Sequence, residues 1–207
     1  MVEAMVKVTR KTRDETRKRL LAAGAAHLAR DGLERASVDA IALDAGYAKG
    51  TFYNYFDSKE AMFAAVIAEW AGRAAEVEAG ADSPSAGVRA RLIGLAEADV
   101  KVVRENEDFA KVVIREVLAF RPETYPMVIA QLDPFIAKLV EVLRDGIEAG
   151  EIRADRSVTQ QAMMFTGLLA LSYVQHWGSG GGWPTLNEVP DLVVGSFLDG
   201  AAKRGAP

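Results

Sequence analysis

The chain of 207 residues contains no cysteine. That excludes disulfide staples, thiolate metal sites and a cysteine nucleophile. Histidine is scarce as well. His27 and His176 are the only two, and their spacing makes a poor metal pair. No apolar run approaches the roughly 20 residues that a membrane-spanning helix needs. The opening stretch, MVEAMVKVTRKTR, lacks the apolar core of a signal peptide, so a cytoplasmic protein is expected. No phosphate loop is present: Gly178-Ser179-Gly180-Gly181-Gly182 lacks a GK[ST] ending and reads as a flexible loop. There is no overall basic excess either, since the net charge is −4. A protein that coats nucleic acid with its whole surface is excluded.

The charge is unevenly spread. Residues 1–60 hold 11 basic and 9 acidic side chains, and residues 61–207 hold 14 and 20. Within residues 1–19 the count is 7 against 3. A positive N-terminal end suits contact with phosphates, although such runs are often plain solvated tails. Half of the residues are hydrophobic, enough for one or two domains with a sizeable core.

The stretch ASVDAIALDAGYAKGTFYNYFDSKE, residues 36–60, organises the rest. Ser37 can cap a short helix whose apolar face is Val38, Ile41, Ala42 and Ala45. Gly46 ends it in the left-handed conformation that glycine adopts cheaply. A second short helix is predicted over about Ala48–Phe56. Phe52 and Phe56, one turn apart, share its inner face. The opposite face is centred on Gly50 and Asn54, flanked by Thr51, Tyr53 and Tyr55. A small, polar, aromatic surface on a helix held from behind suits a DNA major groove. Gly50 admits a close backbone approach, Asn54 can pair with an adenine edge, and Lys49 can meet a guanine edge or a phosphate.

G-Y-A-K-G-T-F-Y-N-Y-F-D-S-K-E, preceded by S-V-D-A-I-A, resembles the DNA-binding domain of the TetR family of transcriptional regulators. The resemblance is specific over about residues 10–70 and extends to the C-terminus by helix count and length. Two positions depart from the family pattern. Ala48 stands where a serine cap is frequent, and Asn54 where histidine is common; both bear on the operator sequence. The resemblance implies an all-α protein of about nine helices: a helix-turn-helix domain over 1–60 and a helical bundle for dimerisation and effector binding over 61–207. The DNA-contacting set expected from this reading is Arg13, Arg17, Ser37, Tyr47, Lys49, Gly50, Thr51, Tyr53, Asn54, Tyr55 and Lys59. Double-stranded DNA with a palindromic operator is the expected partner.

Around this core, residues 1–11 read as a flexible arm, and Thr12 with Glu15 as a capping box that starts the first long helix. His27 reads as a satisfied boundary histidine. Tyr47 can contact a phosphate or pack under the turn. Ser58 and Lys59 open a helix reaching about Glu78, and Gly80–Ser85 is a turn-rich break. Further helices are expected over 86–105, 107–119 and up to Gly150, with Arg121-Pro122 as a breaker and Asp133-Pro134 as a fresh start or a kink.

Residues 157–177 are apolar on nearly every side, which is the pattern of a helix buried all round. With the last helix, about 186–203, it can form a four-helix interface with a second copy, though a monomer's core helix carries the same pattern. Leu168, Leu171, Gln175, Val194, Phe197 and Leu198 are the interface candidates. Family members commonly bind a small molecule in the C-terminal bundle. Candidate lining residues here are Trp70, Phe109, Val113, Glu116, Phe120, Met127, Met163, Met164 and Trp177, although an apolar stripe is more often plain core. No cofactor is expected. The alternatives are a helical acid/base enzyme using Glu116 and His176, or a protein-binding adaptor; neither explains the face around Gly50 and Asn54.

Overall fold

Ser37, Ser58, Gly87, Gly150, Ser157 and Ser179 stand at the ends of helices. The computed structural model describes the backbone of residues 2–79 and 86–199 and the side chains of 12–72 and 86–199. Its described residues form ten helices and no strand. These are α1 (Val2–Arg35), α2 (Val38–Asp44), α3 (Lys49–Tyr53), α4 (Lys59–Ala79), α5 (Val88–Glu105), α6 (Glu107–Leu118), α7 (Tyr125–Gln131), α8 (Asp133–Glu148), α9 (Val158–Gly178) and α10 (Val189–Asp199). The expected break at 80–85 lies outside the described residues.

The packing divides the chain into two compact units that do not follow chain order. One holds residues 1–69 and 107–131; the other holds 70–106 and 132–207.

In the first unit α1 packs against α2 and α6. Leu20, Leu28, Ile41, Phe52, Met62, Phe63 and Ile67 are completely buried there. Each such side chain contributes about 1.5–3 kcal/mol relative to exposure. Phe63 meets Phe109 edge to face, with ring centroids 6.0 Å apart. The expected arm and capping box are corrected: the helix is already running at Val2, because nothing in residues 2–11 is a helix breaker. Thr16 donates from Oγ1 to the Thr12 carbonyl at 2.9 Å, a bond of the helix interior. The helix breaks at Gly32, with φ 75° and ψ 167°. A β-carbon there would lie 2.3 Å from a guanidinium nitrogen of Arg115 on α6. Beside it, Glu34 accepts at its carbonyl from Lys59 Nζ (2.7 Å) and pairs through its carboxylate with Arg121 (2.7 Å).

In the second unit α5 packs on α8 and α10, and α9 on α8 and α10. Leu92, Leu139, Leu143, Phe165 and Val194 are completely buried. Gly146 lets α8 approach closely, since a β-carbon would stand 2.5 Å from Val88 Cγ2. The buried Arg91 guanidinium pairs with Asp145 at 2.6 Å. Tyr173 of α9 donates its hydroxyl proton to Asp99 of α5. Burial pushes the Asp99 carboxyl up to about 6, while the bond from Tyr173 pulls it the other way.

Two expectations change here. Residues 125–131 form a separate helix, α7, where the proline pattern left only a kink or a fresh start open. Pro134 sits in the first turn of α8, but the residue at the cap is Leu132. In the helix at 157–177, Ala162, Phe165, Leu169, Ser172 and Tyr173 face the core, while Met164 (62% exposed) and Leu171 (53%) lie on an open face.

Gly32→Ala combines a disallowed φ with a collision against Arg115, so it should destabilise the chain by about 1–3 kcal/mol. Adding Arg115→Ala should restore only part of the loss, because the backbone strain remains; thermal unfolding of both variants measures this. The Asp99 carboxyl keeps its proton to about 6 when folded, whereas an exposed one releases it near 3.9. Its contribution to stability therefore declines as pH rises through that window and is flat above it. Asp99→Asn should remove this decline, seen as a stability difference from the parent chain that grows from pH 4 to 6.

Candidate nucleic-acid interface

Ser37 sits at the N-cap of α2 with extended backbone, and its Oγ accepts the Ala40 N–H at 3.4 Å. Gly46 then takes φ 83° and turns the chain. Ala48 is the N-cap of α3 and makes no side-chain cap bond, having no oxygen to offer. The recognition helix is shorter than the expected Ala48–Phe56. It ends at Tyr53, with Asn54 as its C-cap. The chain leaves early because Ser58 is already capping α4, its Oγ accepting the Ala61 N–H at 3.1 Å. A single turn follows, in which Phe56 N–H still bonds the Phe52 carbonyl at 3.0 Å. The two rings consequently stay together, 5.5 Å apart, and both are buried.

The opposite side is open. Lys49, Gly50, Tyr53 and Asn54 are exposed, while Thr51 and Tyr55 are half-buried. No atom lies within 4 Å of where a Gly50 β-carbon would stand. Three arginines of α1 flank this surface on aromatic rings: Arg13 over Tyr55 (5.9 Å), Arg17 over Phe56 (5.8 Å) and Arg19 over Tyr47 (5.4 Å). Such stacking orients a guanidinium and leaves its N–H groups available for phosphate oxygens.

Besides Ser37, further candidates carry structural bonds of their own. Tyr47 is half-buried and donates to Thr16 Oγ1 at 3.3 Å, while Lys59 holds the Glu34 carbonyl. Arg19 and Asp39 escaped the sequence reading. Asp39 of α2 meets Lys49 Nζ at 2.8 Å and holds its ammonium above the ordinary lysine range. No sequence rule couples positions ten residues apart across a turn. His27 is buried, with Nδ1 2.8 Å from Arg30 and Nε2 3.5 Å from Asp44, as fits a satisfied histidine.

Residues 20–66 match the description "Bacterial regulatory proteins, tetR family", and residues 85–201 match "Tetracyclin repressor-like, C-terminal domain". The chain belongs to the TetR family. Its members are DNA-binding regulators, which sets aside the helical enzyme; His176 in any case has its Nδ1 2.8 Å from the Pro184 carbonyl. A curated relative, an uncharacterised HTH-type transcriptional regulator YdgC of Bacillus subtilis, is 33% identical over 104 residues. That match covers 47% of this chain and 52% of the relative, so the chain spans about half the length of the curated relative it matches.

Among solved structures, the transcriptional regulator FadR of Bacillus subtilis, in complex with stearoyl-CoA, shares the fold with a TM-score of 0.80 at 21% identity, covering 89% of this chain and 99% of that one. The fatty acid degradation regulator FadR of Bacillus halodurans gives 0.78 at 22% identity, with coverage of 89% and 99%.

The effector candidates of this TetR-family chain separate between the two units. Phe109, Val113 and Glu116 form a buried stripe of α6, and Met127 is half-buried on α7. Glu116 is 3% exposed, its Oε2 has no hydrogen-bond partner, and Arg121 Nε stands 4.0 Å away. Phe120 is corrected: it is 72% exposed, at φ 51° just past the end of α6. In the second unit Trp70 and Trp177 are half-buried, and Trp177 stacks on Tyr173 at 5.9 Å. Met163 and Met164 are corrected as well, since they lie on the open face of α9 with Leu171. Of the interface candidates, Leu168, Leu171 and Gln175 share that face, and Phe197 and Leu198 are half-buried. Val194 is corrected: it is completely buried in the chain's own core. Among the described residues no helix is long and apolar enough to cross a membrane, and no group of three His, Asp or Glu could hold a metal.

Gly50→Ala finds empty space in the free protein, and alanine favours a helix by about 0.5–1 kcal/mol. Thermal stability should hold or rise. Binding to DNA should nonetheless weaken at least about fivefold if the backbone at Gly50 approaches a duplex, since a methyl group there keeps it away. A gel shift alongside a melting curve separates the two effects.

Proposed function

We propose that the chain is a cytoplasmic, homodimeric transcriptional repressor that a small apolar or amphipathic effector releases from a palindromic operator. The observation that carries this reading is the open polar face of α3, backed by buried Phe52 and flanked by arginines of α1. Tyr53, Asn54, Thr51 and Tyr55 read or grip the groove, with Gly50 as the point of approach. Residues 1–60 form the reading head, and residues 61–207 carry effector binding and dimerisation.

The apolar face of α9 supports pairing of two copies. Met164, Leu168, Leu171 and Gln175 fall at helical spacing along it, and a β-carbon on Gly167 would have no neighbour within 4 Å. Exposed leucine and methionine in such a row mark an interface. Two copies joined there present their α3 helices in pairs, about 34–36 Å apart or at a multiple of that spacing, as half-sites of a palindrome require. The effector is supported by the buried α6 stripe and by the stearoyl-CoA that the fold-sharing B. subtilis regulator holds. It would act by favouring a spacing of the heads that the operator cannot accept.

The test uses DNA from upstream of the protein's own gene. The parent chain should protect a palindrome, and Tyr53→Ala with Asn54→Ala should abolish that protection. Leu171→Glu should halve the mass measured by light scattering and cost operator affinity at least about tenfold, because only one head then binds. Stearoyl-CoA should dissolve the complex. A monomeric parent chain, or DNA binding unaffected by the Tyr53 and Asn54 changes, would sink the reading; indifference to stearoyl-CoA would sink only that choice of effector.

A further inference from the structure

The exposed pair between Asp39 and Lys49 has no evident structural purpose. The side chains are 65% and 52% exposed, and an exposed pair contributes little to stability. Ser37 caps α2, and Asp39 in its first turn would favour the helix start equally well without Lys49. A carboxylate beside a phosphate-binding surface also opposes the approach of any duplex. Lys49 is the only cation between residues 36 and 58, and it stands at the first residue of α3. Left alone, its flexible four-carbon stem would let the ammonium reach any nearby phosphate, whatever the base sequence.

We propose that Asp39 is a specificity-determining residue: it holds the Lys49 ammonium at the head of α3 and keeps it from engaging phosphates indiscriminately. Held there, the ammonium keeps two of its three N–H donors for acceptors fixed in the same place. The guanine edge, with O6 and N7 side by side, is such a set. Asp39 meanwhile accepts from an amino group, and the cytosine N4 of the same base pair supplies one. The pair therefore offers a donor and an acceptor that together match a G·C pair in the half-site. This rests on the DNA-binding reading above.

The experiment compares the parent chain, Asp39→Asn, Asp39→Glu, Lys49→Met and the double variant Asp39→Asn/Lys49→Met. Each is titrated with the protected upstream DNA and with a scrambled duplex across a series of salt concentrations. Asp39→Asn should bind the scrambled duplex more tightly, with a log–log salt slope steeper by about 0.9, one phosphate's worth. Its preference for the protected DNA should fall at least about fivefold, the lower range for one base contact. Asp39→Glu should retain most of the preference. In the Lys49→Met background the Asp39→Asn change should keep only the smaller effect on preference that belongs to the cytosine contact.

An unchanged preference and slope in Asp39→Asn would overturn the proposal. So would an equal gain in affinity with and without Lys49, since Asp39 would then be a plain repulsive charge. A parent chain that binds neither duplex at low salt overturns the DNA-binding reading itself, and this proposal with it.

Discussion

Everything at the reading surface depends on burying one ring. A helix of five residues has no stability of its own, because nucleation costs more than a single turn returns. α3 exists because Phe52 is completely enclosed and Phe56 packs 5.5 Å from it. With the inner side so fixed, the outer side is free to be chosen for contact and not for folding. Glycine in a helix is unfavourable, and Asn54 is a poor interior former that serves well at an end. Both are tolerable only on an element whose place is secured from behind.

The surroundings of α3 are built by contacts that cross long stretches of chain. Arg13, Arg17 and Arg19 of α1 lie over Tyr55, Phe56 and Tyr47. Lys59 and Arg121 both hold Glu34, one at its carbonyl and one at its carboxylate. The lower end of α1 is thereby tied to the start of α4 and to the corner after α6. The three arginines do two things at once: they cover aromatic surface with their flat faces and leave N–H groups at the rim. Positive charge is thereby gathered beside α3 in a chain whose net charge is negative.

What was legible in the sequence was local. Ser37, Gly46, Ser58 and the Phe52/Phe56 spacing announce themselves through rules that span at most four residues, and the helix-turn-helix follows from them. The ends of α6 and α8 are legible for the same reason, through Arg121-Pro122 and Gly150, but the separate α7 is not. The rest needed tertiary partners. That Asp39 would meet Lys49, or that Tyr47 would bond Thr16, is invisible to any periodicity. The helix at 157–177 shows the limit most clearly. Its composition declares that both sides are apolar but not which side the chain keeps for itself, so the sequence offers Met163 and Met164 as pocket lining while both lie on the open face. Phe120 was misplaced because one left-handed residue after α6 turned its ring outward.

The grouping of α6 and α7 with the first three helices has a bearing on biosynthesis. The apolar side of α1 is covered in part by α6, whose last residue is Leu118. On the ribosome, the first unit therefore lacks one of its walls until more than half of the polypeptide has been made and has cleared the exit tunnel. Until then the nascent chain carries an uncovered greasy strip, the type of surface that chaperones recognise. Maturation of the first sixty residues is in this sense not a private matter of those residues, and a fragment ending there would begin life with that strip bare.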